Sequence, residues 1–283
     1  ITREKVPYEE GIALFEEHDH KDKVRLYKTL GREEIQTYKI GNHIDGFYGY
    51  LAPSTSYVSV FDLKYYYPGV IILFPNKESK NTLPEFKEQK KLGKVFKEAN
   101  EWADILDLGY VSSLNEKTLE GDINEVIRVS EALHEKKIAE IADIICKDDE
   151  INMILIAGPS SSGKTTFAQR LAVHLKVNGK RPISISVDDY FLDREKTPVN
   201  EDGEYDFEAL EAINLKAFNE DLVKLLEGEM IELPKYNFYT GKSESSGRRI
   251  KVDKDHPIIV EGIHGLNPKL ASYIPEKNKF KIY

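Results

Sequence analysis

The sequence predicts an α/β fold, a parallel sheet flanked by helices, preceded by a smaller α+β domain. Three observations predict it. Residues 151–157 form a nearly continuous apolar run, the pattern of a parallel strand covered on both faces, and open onto a Gly- and Ser-rich loop. Two more short β-forming runs follow, and each ends in acid. The texture of the chain also changes near Pro75 and near Asp148, which divides it into 1–75, a helical connecting segment 76–148, and a core 149–283.

Residues 1–75 are rich in Tyr, Gly and β-formers. A short helix is expected at the start, with Thr2, Glu4 and Val6 as its cap signal. Val58, Val60 and Ile71-Ile72-Leu73-Phe74 read as strands. In 76–148 the chain turns charged and helical, and Ala132, Ile138, Ile141, Ala142 and Ile145 make one apolar stripe. Cys146, at the end of that helix, reads as a structural thiol. After the loop, Phe167, Leu171 and Leu175 share a helix face that stops at Asn178-Gly179. Ile183, Ile185 and Val187 alternate with Ser184 and Ser186 as a second strand. Residues 210–226 form an amphipathic helix, 258–260 a buried strand, and 280–283 a last strand.

Composition bounds the function. With 283 residues there is room for two cores, and no apolar run approaches the roughly 20 residues of a membrane span. The net charge of −9 argues against a nucleic-acid partner, whose footprint is usually a basic patch. One cysteine excludes intrachain disulfides and a Cys-rich zinc site, so a reducing, cytoplasmic setting is expected. The first residue is Ile1 and the last read as a strand with no following element, so the chain is taken as a segment of something longer.

The loop Gly158-Pro159-Ser160-Ser161-Ser162-Gly163-Lys164-Thr165 fits G-x-x-x-x-G-K-[ST], which marks a P-loop NTPase-type sheet. Its glycines let the backbone curl so that successive N–H groups point at phosphate oxygens, at a helix N-terminus that favours negative charge. Lys164 is expected to reach the β- and γ-phosphates of ATP, and the Thr165 hydroxyl to ligate Mg2+. Ligands of open parallel sheets lie beyond the strand carboxyl ends. There Val187 runs into Asp188-Asp189, and Val260 into Glu261-Gly262. Phosphoryl transfer to an alcohol needs a base, a group positioning Mg2+ and cations over the γ-phosphate. Spacing leaves open which of Asp188 and Asp189 is the base.

Five stretches in order and spacing resemble the uridine kinase and phosphoribulokinase family. They are 158–166, Ser186-Val187-Asp188-Asp189-Tyr190-Phe191, Tyr205-Asp206-Phe207, Leu233-Pro234-Lys235-Tyr236-Asn237-Phe238 and Val260-Glu261-Gly262-Ile263. The resemblance implies that Thr166 completes the phosphate cradle, that Asp188 takes the proton of a nucleoside 5′-hydroxyl, and that Glu261 helps hold Mg2+. It implies further that Asp206 binds ribose hydroxyls and that Tyr236 and Phe238 enclose the pyrimidine. Two departures stand out. Gly241 occupies the place where the family's uridine–cytidine kinases carry a base-contacting histidine, and the arginine-bearing lid would lie beyond Tyr283. His264 is read as a structural histidine.

At the front, the stretch from Tyr38 to Thr55, with the opening to about Leu30, resembles the second accessory domain of threonyl-tRNA synthetases. The Cys and His used there for editing are matched by Phe47 and Leu51, so editing chemistry is not expected. His18 and His20 read as part of a solvated loop. The reading is ATP-dependent phosphorylation of a uridine-like nucleoside, with a small-molecule partner and room for a homo-oligomer. The rivals are a kinase of another hydroxylated metabolite and a nucleotide-binding regulatory or RNA-associated protein.

Overall fold

A computed structural model describes residues 1–67, 69–253 and 256–283. The chain divides into two compact units, Ile1–Leu133 and His134–Tyr283.

In the first unit, β1 (Thr2–Pro7), β2 (Glu34–Ile40) and β3 (His43–Gly46) form an antiparallel sheet in the order β1-β2-β3. Helices α1 (Tyr8–Glu17) and α2 (Lys21–Leu30) come between the first two strands. Val6, Ile12, Phe15, Val24 and Ile35 make the core. Gly11 is required for close packing, since a Cβ there would lie 2.8 Å from the Ile35 side chain. The expected opening helix is corrected: Thr2–Pro7 is a strand paired residue for residue with β2, Val6 opposite Ile35. Helix begins only after Pro7, so the long pairing outweighs a local cap signal. Val58 and Val60 likewise lie outside any strand. A 3-10 turn at Thr55–Tyr57, fixed by Ser54 Oγ accepting from Ser56 N–H, precedes the hairpin β4 (Asp62–Tyr66) and β5 (Gly69–Leu73). Helices α3 (Lys90–Ile105) and α4 (Val111–Glu120) follow.

The helix α5 (Ile123–Cys146) crosses the division, and its stripe Ile138, Ala142 and Ile145 is buried in the second unit. There β6 (Met153–Ile156), β7 (Ile183–Ser186), β10 (Ile258–Glu261) and β11 (Lys279–Ile282) build a parallel sheet in the order β11-β6-β10-β7. Both faces are covered at the centre of the sheet, which is why β6 and β10 read as apolar runs, while β7 and β11 alternate. Met153, Leu155 and Val260 face Phe218 and Leu222 of α7 (Leu215–Leu226). Ile154, Ile156 and Ile259 face α5 and Leu171 and Leu175 of α6 (Lys164–Val177). This is the α/β fold with helices flanking a parallel sheet. Truncating a fully buried side chain such as Leu171 would cost about 2–5 kcal/mol.

Two boundaries differ from expectation. Residues 210–226 are not one helix: Leu210–Ala212 is a separate 3-10 turn, and α7 starts at Leu215 because the Asn214 side chain accepts from Ala217 N–H at 3.2 Å. The second strand ends at Ser186, and Val187–Tyr190 coils into a 3-10 turn. A hairpin not foreseen as such, β8 (Ile231–Asn237) with β9 (Lys242–Ile250), carries the aromatic motif.

Candidate functional site

The phosphate loop joins β6 to α6. Its curl rests on two left-handed residues, Ser161 at φ 60 and Gly163 at φ 85, and on a tight start. A Cβ on Gly158 would stand 2.7 Å from Ser162 Oγ. Lys164 Nζ folds back and donates to the Pro159 carbonyl at 2.9 Å, and Phe167 N–H closes onto the Gly163 carbonyl at 2.9 Å. Ser160, Ser161, Ser162 and Gly163 thus lead straight into the first turn of α6, where Lys164, Thr165 and Thr166 follow. Unpaired N–H groups at such a terminus favour an anion.

Three strand ends meet in register. Ile156, Glu261 and Ser186 are lateral neighbours across β6, β10 and β7. Parallel strands deliver the loops at their carboxyl ends to one edge, so the phosphate loop, Glu261 and Asp188 share that edge. Thr165 Oγ1 donates to Glu261 Oε1 at 3.1 Å. Two glycines allow this closeness: a Cβ at Gly262 would meet Val187 at 2.8 Å, and one at Gly265 would meet the Ile156 carbonyl oxygen at 2.8 Å.

The two neighbouring acids are held differently. Asp188 is open to solvent at its surface, yet the atoms packed around it push its carboxyl above the ordinary range, with the Lys164 charge opposing. Asp189 is also pushed up by burial, but it accepts the backbone N–H of Tyr236. One acid faces the loop lysine while the other is tied to β8, a difference that adjacent positions could not reveal.

Around the expected acceptor pocket the placements are mixed. Asp206 Oδ1 accepts the N–H groups of Glu208 and Ala209 at 2.9 and 3.1 Å, so half of that carboxylate caps its own turn. Tyr236 is only 3% exposed and packs edge-on against Phe238 at 5.0 Å and Phe191 at 5.5 Å, while Phe238 is 60% exposed. The Tyr236 hydroxyl is buried without a hydrogen-bond partner among the described residues. Gly241 closes the β8–β9 turn at φ 70, and Arg194 covers it. The Arg194 side chain donates to the Phe238 carbonyl at 2.7 Å, and a Cβ on Gly241 would lie 2.9 Å from the guanidinium. Sequence reasoning missed Arg194, whose only signal was its place shortly after the acid pair. His264 Nε2 donates to the Glu208 carbonyl at 2.9 Å. A separate cavity of about 390 Å³, lined by Tyr190, Asp193, Asp221 and Glu232, includes no loop residue.

The oxygen donors suit Mg2+, which commonly takes one or two protein ligands and completes its shell with phosphates and water. Thr165 and Glu261 converge as such a pair. Among the described residues no group of three or more His, Cys, Asp or Glu is arranged to hold a metal, and no helix is long and apolar enough to cross a membrane. In the first unit, Phe47 and Leu51 are both partly exposed, and the His18 and His20 rings stack at 6.4 Å.

Fold and loop together define a P-loop α/β domain. Residues 153–283 match the model of the Phosphoribulokinase / Uridine kinase family, and all five motifs lie in that stretch. The chain is 27% identical over 119 residues to a probable uridine-cytidine kinase of Caenorhabditis elegans, covering 39% of this chain and 47% of that one. It is 32% identical over 111 residues to a uridine kinase of Lactobacillus helveticus (strain DPC 4571), covering 39% and 51%. The chain therefore spans about half the length of the curated relatives it matches. A solved structure of a possible uridine kinase from Bacillus stearothermophilus aligns with a TM-score of 0.39 and 21% identity, over 52% of this chain and 80% of that one.

Proposed function

We propose that the second unit is an ATP-dependent phosphotransferase acting on an alcohol, with the 5′-hydroxyl of a uridine-like nucleoside as acceptor. The observation that carries the reading is the convergence of the loop, Glu261 and Asp188 at one sheet edge, with Thr165 bonded to Glu261. The loop N–H groups and Lys164 hold the ATP phosphates. Lys164 leaves the Pro159 carbonyl for the β- and γ-oxygens, a stronger, charge-assisted partner. Thr165 and Glu261 hold Mg2+, which when bound offsets charge on the phosphates.

Asp188 accepts the acceptor's hydroxyl proton as the alcohol oxygen forms its bond to the γ-phosphorus and the bond to the ADP oxygen breaks. Its raised pKa suits a base, since the nearer a base lies to the working pH the more effective it is. Asp189 is tied to Tyr236 and serves to fix the hairpin. Asp206 and Phe238 line the acceptor side, while Tyr236 supports them from the core.

A second reading, a kinase of another hydroxylated metabolite, is favoured by one observation. Arg194 stands over Gly241, where a base-contacting histidine was the expectation for a pyrimidine kinase. The test is acceptor-stimulated ADP release across uridine, cytidine, other nucleosides and non-nucleoside alcohols. Uridine stimulation supports the first reading, and stimulation by another alcohol alone supports the second. For the first unit we keep the synthetase-like resemblance as a scaffold without editing chemistry, given Phe47 and Leu51. Deacylation of mischarged tRNA by the chain would overturn that.

A further inference from the structure

The β4–β5 hairpin has one face partly covered and one bare. Strand side chains alternate between faces. The register pairs Lys64 with Ile71 and Tyr66 with Gly69 on one side, and Leu63 with Ile72 and Tyr65 with Val70 on the other. The first side is half-covered, with Tyr66 and Ile71 partly buried. Tyr66 meets Phe86 edge-on at 6.4 Å, Lys64 Nζ stands 4.8 Å over the Phe86 ring, and a Cβ on Gly93 of α3 would lie 2.9 Å from the Tyr66 hydroxyl. The second side carries Phe61, Leu63, Tyr65, Val70, Ile72 and Phe74, where Phe61 and Phe74 continue the alternation past the strand ends. All six are 53–79% exposed, and none is charged.

Area and charge point to one occupant. With about 150–250 Å² for each aromatic side chain and somewhat less for each aliphatic one, the row presents roughly 700 Å² of apolar surface. That exceeds the roughly 300–600 Å² patch usual on a monomer and approaches the ~800 Å² per partner of a specific interface. Tyr57 and Val58, exposed at the edge of the same surface, extend it further. The chain carries a net charge of −9, so copies repel each other in general, and an uncharged face is where they can meet.

The shape is self-complementary as well. A cavity of about 930 Å³ opens at one end of the row, lined by Phe61, Leu63, Ile72 and Phe74. Tyr65, the most exposed of the six, projects at the other end and does not line it. Phe61 and Tyr65 are separated by ~13 Å along the strand. A two-fold axis lying across the strands at Leu63–Ile72 therefore sets Tyr65 of each copy over the cavity of the other. A two-stranded sheet is marginal alone, and stacking two of them face to face gives each the partner it lacks.

We propose that this face is the interface of a symmetric dimer, with a second copy of this chain as occupant and Tyr65 seated in the partner's Phe61–Phe74 cavity. The test is sedimentation equilibrium on the full chain. The expected result is a dimer with a dissociation constant of about 10 µM or below. Tyr65→Lys and Phe61→Glu, each placing a charge in the apolar contact, are expected to weaken dimerisation about 100-fold or more. Carrying both changes in one chain is expected to restore it to within about tenfold, because each lysine then meets a glutamate across the interface. Unchanged far-ultraviolet dichroism and ATP affinity would show that every variant is folded. A wild-type chain monomeric at about 100 µM overturns the proposal, including one that binds vesicles or another protein instead. So does a dimer indifferent to Tyr65→Lys, or a double variant that stays monomeric.

Discussion

Replacing Gly265 by alanine probes how the start of the phosphate loop is held. The added Cβ would stand 2.8 Å from the Ile156 carbonyl oxygen and 3.0 Å from Ala157 N, where ordinary contact begins at 3.4 Å. Ile156 cannot give way. Its carbonyl accepts Gly262 N–H at 3.1 Å, and Ala157 N–H donates to Ile282 at 2.8 Å, so both neighbours hold the strand end. The loop carrying Gly265 must retreat by roughly 0.6 Å, the difference between 3.4 and 2.8 Å, and overpacking of this kind costs about 1–3 kcal/mol. For a chain of this size that is a fall of roughly 3–10 °C in Tm, read on the transition that ATP is expected to raise. Glu261 lies on the same segment, so ATP affinity in the presence of Mg2+ is expected to fall as well. Gly109→Ala is the control, since a Cβ there meets nothing within 4 Å. A Gly265→Ala protein with Tm and ATP affinity both unchanged would refute the close approach and the site geometry built on it.

Further outcomes rest on the same geometry. Thr165→Ala and Glu261→Gln are each expected to raise the Mg2+ concentration needed for ATP binding by about 10–100-fold, and the double variant to do little worse than either single one. The carboxyl of Asp188 lies above its ordinary value of 3.8, so the acid limb of kcat should lie above that value too. Its effect on stability has the opposite sense: the folded state holds the proton more tightly, and that contribution is lost as pH rises through the raised pKa. Asp188→Asn should therefore raise Tm at neutral pH, a gain that disappears below pH 3.8. Glu276 is the reverse case, held down to about 2 by the Lys279 and Lys281 ammonium groups at 2.8 and 2.7 Å. Its contribution is present above 4.5 and is lost as pH falls through about 2, so Glu276→Gln should flatten acid unfolding in that window.

Legibility in the sequence tracked the range of the interactions. The sheet was readable because its central strands β6 and β10 are buried on both faces, and the helix after the loop because Leu171 and Leu175 mark one stripe and Gly179 ends it. Residues 2–7 were misread because Val6 is the only buried side chain in a strand made by pairing, and its partner Ile35 is distant in sequence. The β8–β9 hairpin was hidden for a similar reason, since Lys242–Ile250 is almost wholly polar and shows no alternation. At the candidate site the loop and the acids at the strand ends could be read locally. The separation of Asp188 from Asp189 could not, because it depends on a 3-10 turn and on the N–H of a residue 47 positions later. Arg194 over Gly241 likewise emerges only when the turn is folded.

The most direct test of the phosphotransferase reading is ADP release by wild type and Asp188→Asn with Mg-ATP, with and without uridine, alongside ATP affinity for both. The reading predicts uridine-stimulated release that falls by about 10²–10⁴-fold in Asp188→Asn while ATP still binds. Tight ATP binding with no stimulation by uridine or any other alcohol would contradict it and leave a nucleotide-binding switch in its place.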